Sequence, residues 1–109
     1  MVHSKGKDRS LKMKVRYSEE AASELEAAAH WYEESRPGLG SEFVLSIEAA
    51  LASILRTPQL YAQAHRSDVR RALIKRFPYG LFFRVKDDWI EIVSVFHLRR
   101  NPKALKQRL

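Results

Sequence analysis

At 109 residues, with 45% hydrophobic and 30% charged residues and no cysteine, the chain has the composition of one globular domain with a single core. The composition excludes wholesale disorder, disulfides and thiolate metal sites, and it fits a reducing, cytoplasmic setting. No apolar run approaches the roughly 18–20 residues of a membrane span, and the basic N-terminus lacks the apolar stretch of a secretory signal.

The net charge of +7 is unevenly spread. Residues 13–55 carry three Lys/Arg against eight Asp/Glu, whereas residues 56–109 carry thirteen against four. An acidic half is thus joined to a strongly basic one, which would attract a polyanion or an acidic protein segment.

Residues 1–12 have no apolar period and read as a disordered extension, an over-called start or cloning remnant rather than a functional basic arm, with one domain expected over 13–109. Met13, Val15 and Tyr17 alternate with Lys14 and Arg16, the pattern of a strand with one buried face. Ser18 stands where a helix N-cap belongs, and Glu19 and Glu20 suit the positive end of the helix dipole. From Glu19 to about Ser35, Ala21, Leu25, Ala28 and Tyr32 recur at spacings of three and four, predicting an amphipathic helix. Arg36-Pro-Gly-Leu-Gly40 breaks the chain. A second helix is expected from about Ser41, with Phe43, Ile47, Leu51 and Ile54 in its stripe, ending at Thr57-Pro58. So short a connection folds the two helices into an antiparallel hairpin, and both need a sheet to cover.

Three runs supply that sheet. Val69–Phe77 mixes basic and apolar residues and is expected to be a strand, interrupted by Pro78. Tyr79–Val85 and Trp89–His97 are β-branched and aromatic, separated by the short connection Lys86-Asp-Asp88. A short basic helix or tail follows from Lys103 to Leu109. The expected architecture is α+β: strand, helical hairpin, then three strands of a mainly antiparallel sheet.

In this order and at these spacings, Trp31-Tyr32-Glu33-Glu34, Arg36-Pro-Gly-Leu-Gly40, Arg70-Arg71-Ala-Leu-Ile-Lys-Arg-Phe-Pro-Tyr79, Phe82-Phe-Arg-Val85 and His97-Leu-Arg-Arg-Asn-Pro102 resemble the RelE/ParE toxin superfamily. The resemblance is closer to its ParE-like, plasmid-stabilisation branch. It implies the toxin of a type II toxin–antitoxin pair, silenced by an antitoxin whose acidic, partly disordered C-terminal segment wraps it as a helix and an extended strand. Two activities are known in the superfamily: inhibition of DNA gyrase, expected here, and ribosome-dependent mRNA cleavage, the alternative. No cofactor, metal or membrane partner is implied.

Metal-free RNA cleavage requires a proton acceptor, a proton donor and cations at the phosphorane. His97 could move the proton, and Arg84, Arg99 and Arg100 could clamp phosphate. A lone histidine at a strand end is more often a hydrogen-bonded structural residue. RelE-like nucleases generally carry a Tyr or His near the C-terminus, and none follows Asn101 here. His3, His30 and His65 have no metal-ligand spacing with neighbours. Arg70, Arg71, Lys75 and Arg76 form the densest charge; alternation would place Arg71 and Lys75 on one face and Arg70 and Arg76 on the other, as a solvated face or a surface for the antitoxin or target. Trp31, Tyr32 and Trp89 are candidate hydrophobic anchors or core residues, with Trp31 lying toward the glutamate-bearing side of its helix.

Overall fold

A computed structural model of the chain describes residues 14–64 and 68–108. Met13, the 1–12 extension, His3, His65 and Leu109 lie outside the described residues. The elements are β1 (Lys14–Tyr17), α1 (Glu19–Ser35), α2 (Leu39–Arg56), a 3₁₀ turn (Pro58–Leu60), β2 (Arg70–Leu73), β3 (Tyr79–Val85), β4 (Trp89–His97) and α3 (Pro102–Lys106). The sheet order is β1-β4-β3-β2, antiparallel except for the parallel pairing of β1 with β4. No described helix is long and apolar enough to cross a membrane.

Ser18 caps α1 as its sequence position predicts: its Oγ accepts from the Ala21 N–H at 3.0 Å. The same hydroxyl donates to the Val93 carbonyl at 3.1 Å, tying the start of the helix to the middle of β4. The turn into α2 is organised by the Glu33 carboxylate, which accepts from the N–H of Gly38 (3.0 Å) and of Gly40 (3.1 Å). Gly38 is left-handed at φ 90°, a conformation that only glycine adopts at little cost. Gly40 lets the helices close: a Cβ there would stand 2.6 Å from the Ala29 carbonyl oxygen.

The hairpin lies on one face of the sheet. Phe43, Ile47 and Ile54 of α2 and Ala21 and Ala28 of α1 bury against Leu81, Phe83, Ile90, Ile92 and Val95. Each large side chain so buried contributes about 1.5–3 kcal/mol. The opposite face has a smaller core of Val69, Phe82, Val93, Phe96 and Leu105, to which α3 contributes Leu105, with Ala104 packed against it.

The strands Tyr79–Val85 and Trp89–His97 and the first helix fall at their predicted bounds. Three expectations are corrected. The second helix begins two residues earlier than predicted, at Leu39. The strand expected over Val69–Phe77 is only Arg70–Leu73, because Arg76 turns left-handed at φ 73° and the chain reverses before Tyr79. The alternation expected of Lys75 and Arg76 therefore does not hold, since both lie beyond the end of β2.

Candidate functional site

Glu24 lies in phase with Ala21 and Ala28 on the inward stripe of α1 and reaches the free edge of β4. β1 covers that edge only as far as Ile92, the partner of Tyr17. Just beyond, the register of β4 against β3 shifts: Phe82 pairs with Ser94 and Phe83 with Ile92, leaving Val93 as an extra residue. The exposed backbone is taken up by side chains. Glu24 Oε1 accepts from Ser94 Oγ (2.9 Å) and from the Val95 N–H (3.0 Å). Arg108 donates to Glu24 Oε2 at 2.6 Å and to the Val93 carbonyl at 3.0 Å, which brings the C-terminal end back across the sheet edge. Glu24 is therefore a structural keystone, with both oxygens occupied.

Past this clasp, α1 and the end of β4 diverge to form a cleft of about 470 Å³. Ala27, Ala28, Trp31 and Tyr32 form its helical wall, and Tyr79, Val95 and His97 form its strand wall. Trp31 is 63% exposed and meets Tyr32 edge-on, with ring centroids 5.1 Å apart. Tyr32 is anchored from behind by Phe43 at 5.2 Å and Phe77 at 4.9 Å. Tyr79 packs on Phe43 at 5.1 Å and against the His97 ring at 5.0 Å. Burial raises the pKa of both phenols, and Tyr79 is further raised by neighbouring Tyr32, so both stay protonated at neutral pH.

Arg99 and Arg100 form the rim. After His97 the chain folds into a tight turn: Leu98 N–H donates to the Pro78 carbonyl, Arg100 N–H to the His97 carbonyl, and Arg99 N–H to His97 Nδ1 at 3.1 Å. In the neutral ring this places the proton on Nε2. Arg100 stacks over Phe96 at 5.0 Å. Asn101 then caps α3, its side chain accepting from the Lys103 N–H at 2.9 Å.

The four residues considered for nuclease chemistry are thus divided. His97, Arg99 and Arg100 share the cleft, whereas Arg84 lies on the opposite face and five residues along β3 from Tyr79, on the order of 17 Å away. There it contacts Asp68 at 2.9 Å and Glu91 at 3.6 Å. The basic cluster divides too. Arg70 donates to the Tyr61 carbonyl at 2.6 Å, and Arg76 pairs with Glu42 at 2.7 Å. Arg71 and Lys75 are exposed and make no ion pair with a described residue. Arg71 lines a depression beside Phe96 and Leu105, and Lys75 lines a groove between α2 and β2. Tyr32 serves mainly as core; Trp89 is half-buried under Arg16, whose guanidinium lies 4.9 Å from its ring centroid.

Sequence reasoning singled out Trp31 and the strand-end cations separately and did not place them in one cleft. It missed Tyr79 and the Glu24–Arg108 pair. Glu24 did leave a signal: a carboxylate in phase with Ala21 and Ala28 must find donors when it is carried against a sheet. Among the described residues, no three His, Asp or Glu side chains converge to hold a metal.

A helical hairpin on a small mixed sheet, with a clasped strand edge and a basic-rimmed aromatic cleft, defines a small α+β protein of the RelE/ParE toxin type. The family described as the ParE toxin of the type II toxin–antitoxin system, parDE, matches residues 15–102, and the chain belongs to it. A solved chain from the chromosomal ParDE TA system of P. aeruginosa is similar in fold, with a TM-score of 0.70 at 22% identity over 81% of this chain and 98% of that one. No curated protein matches the sequence.

Proposed function

We propose that this toxin acts in the cytoplasm by protein–protein contact on DNA gyrase, and that a cognate antitoxin with an acidic, partly disordered C-terminal segment neutralises it. The observation that carries this reading is the fate of the groups a nuclease would use. Arg84 is held on the far face by Asp68 and Glu91, and the carboxylate nearest His97 in the cleft wall, Glu24, is saturated by Arg108, Ser94 and Val95. What the cleft does offer is an exposed tryptophan and two arginines, residue types that dominate protein interfaces.

The test is induction of residues 13–109 without the antitoxin, with DNA and protein synthesis followed separately over the first minutes. Early loss of DNA synthesis with translation intact is expected. Immediate translation arrest with cleaved messages would instead favour the ribosome-dependent endoribonuclease, which the shared rim of His97, Arg99 and Arg100 keeps as the second reading. His97→Ala would then abolish toxicity in a folded protein, whereas a gyrase-directed toxin would retain it.

A further inference from the structure

The outward face of α2 is more apolar than a helix that meets only water requires. At spacings of three and four it presents Glu42, Leu45, Ala49, Ala52 and Arg56, with charge confined to the two ends. Leu45 is 64% exposed, and Leu73 of the neighbouring β2 is 61% exposed. Between α2 and β2 runs a groove of about 450 Å³, walled by Ala49, Ala50 and Ser53 on the helix and by Tyr61 and Ala72 opposite. A projecting leucine thus stands one turn from an apolar recess on the same helix. A patch that holds both a knob and a hole fits a copy of itself about a two-fold axis.

Charge follows the same symmetry. With the axis at Ala49, two antiparallel α2 helices set Leu45 opposite Ser53 of the second copy, and Glu42 opposite Arg56 at both ends. Parallel helices would instead set Glu42 beside Glu42 and Arg56 beside Arg56. Arg56 makes no ion pair with a described residue and donates to Ser53 Oγ of its own helix at 3.2 Å. The cations nearest Glu42, Arg36 at 3.6 Å and Arg76 at 2.7 Å, both approach Oε1, and a carboxylate has acceptor sites for a third guanidinium. The small side chain of Ala49 at the crossing lets the helix axes close to about 8 Å. A chain of net charge +7 repels its own copies at long range. Residues 13–55, where carboxylates outnumber cations, form the side on which two copies meet with least repulsion.

We propose that two copies of this chain associate through α2, antiparallel about Ala49, each seating its Leu45 in the groove of the other. Four helical turns give an interface at the small end of specific ones, so association falls in the micromolar range. The surface lies away from the cleft between α1 and β4, and its test does not depend on what the toxin acts upon.

The experiment is sedimentation velocity on the purified full chain over a micromolar concentration series, with circular dichroism to show that each variant is folded. The parent passes from monomer to dimer as concentration rises. Leu45→Glu weakens that association by at least about tenfold. Arg56→Glu and Glu42→Arg each set like charges against one another at both ends, and each alone stays monomeric. Mixed in equal amounts, these two variants restore an acid–base pair at both ends and recover a dimer within about threefold of the parent's affinity. A parent that stays monomeric throughout overturns the proposal, as does a mixture of folded Arg56→Glu and Glu42→Arg chains that does not dimerise. A monomeric parent whose α2 amides gain exchange protection only when the neighbouring gene product is added assigns this face to that partner, and equally overturns self-association.

Discussion

Two clusters of positive charge look alike in the sequence and are used differently in the structure. Arg70, Arg71, Lys75 and Arg76 belong to β2 and the turn after it; Arg99 and Arg100 follow β4 with His97. In the first cluster, half of the charges are consumed internally: Arg70 by the Tyr61 carbonyl and Arg76 by Glu42. In the second, the backbone folds around the imidazole and leaves both guanidiniums without an ion pair to a described residue, that of Arg100 lying over the Phe96 ring. Density of charge along a strand is therefore a poor guide to availability. What decides it is whether a carbonyl or carboxylate of the same chain lies within reach.

The largest effect should come from removing the clasp beside the second cluster. Glu24 is about one-fifth exposed and accepts from Ser94, Val95 and Arg108. Glu24→Ala would strand the Val95 N–H and leave Arg108 without its main partner, costing about 2–3 kcal/mol of stability after allowance for its partial exposure. Urea denaturation should show this as a lower midpoint at unchanged slope. Glu24→Gln keeps an acceptor for Val95 and should lose roughly half as much. A Glu24→Ala protein as stable as the parent would show that the clasp only reports the position of the chain end.

The comparison sharpens at Arg71 and Lys75, the two residues of the first cluster that make no ion pair with a described residue. Arg71→Glu with Lys75→Glu should weaken the antitoxin complex by roughly tenfold and should flatten its salt dependence. Equal affinity across a salt series would remove these two residues from the interface. Arg70→Glu should add little to binding, because its guanidinium already serves the Tyr61 carbonyl, and should instead lower stability.

The architecture was legible because hydrophobic periodicity is local. Ser18, the stripe of α1 and the runs of β3 and β4 declare themselves within a few residues. The strand expected to continue to Phe77 failed for a reason that propensity does not carry: its chain reverses through Arg76, a residue type seldom left-handed. The parallel pairing of β1 with β4 was not legible either, since no short-range pattern distinguishes a parallel edge. At the site, His97, Arg99 and Arg100 were readable because they are adjacent in sequence. Their juxtaposition with Trp31 was not, because it depends on the packing of α1 over β4. Arg108 reaches Glu24 across 84 positions, a pairing that only the closed fold defines.

A smaller effect tests whether Arg76 is held where it is by its charge. Its left-handed backbone costs roughly 1–2 kcal/mol relative to glycine, and an exposed, solvent-screened ion pair such as that with Glu42 returns only a small part of that. Arg76→Gly should therefore leave stability within about 0.5 kcal/mol of the parent or raise it slightly, in spite of deleting one of the densest contacts of the cluster. A clear loss in thermal melting would mean that the pair with Glu42 contributes more than its exposure allows.

The smallest expected effect is a shift in titration. The hydrogen bond from Arg76 is the main cause holding the Glu42 carboxyl below the ordinary carboxylate range, with Arg36 adding attraction from 3.6 Å. The Asp68 carboxyl is lowered in the same way by Arg84. A carboxylate whose folded pKa lies below its unfolded one adds stability that is present above the unfolded value and is lost as pH falls through the folded one. Both acids should thus favour the fold at neutral pH and cease to do so only on acidification below the normal carboxylate range. In a side-chain NMR titration, Arg76→Ala should move the Glu42 midpoint upward and leave Asp68 where it was, since the two pairs sit at different ends of the sheet. If both midpoints moved together, the basic half would be acting as one diffuse field, and the distinction between its spent and its free arginines would lose its physical basis.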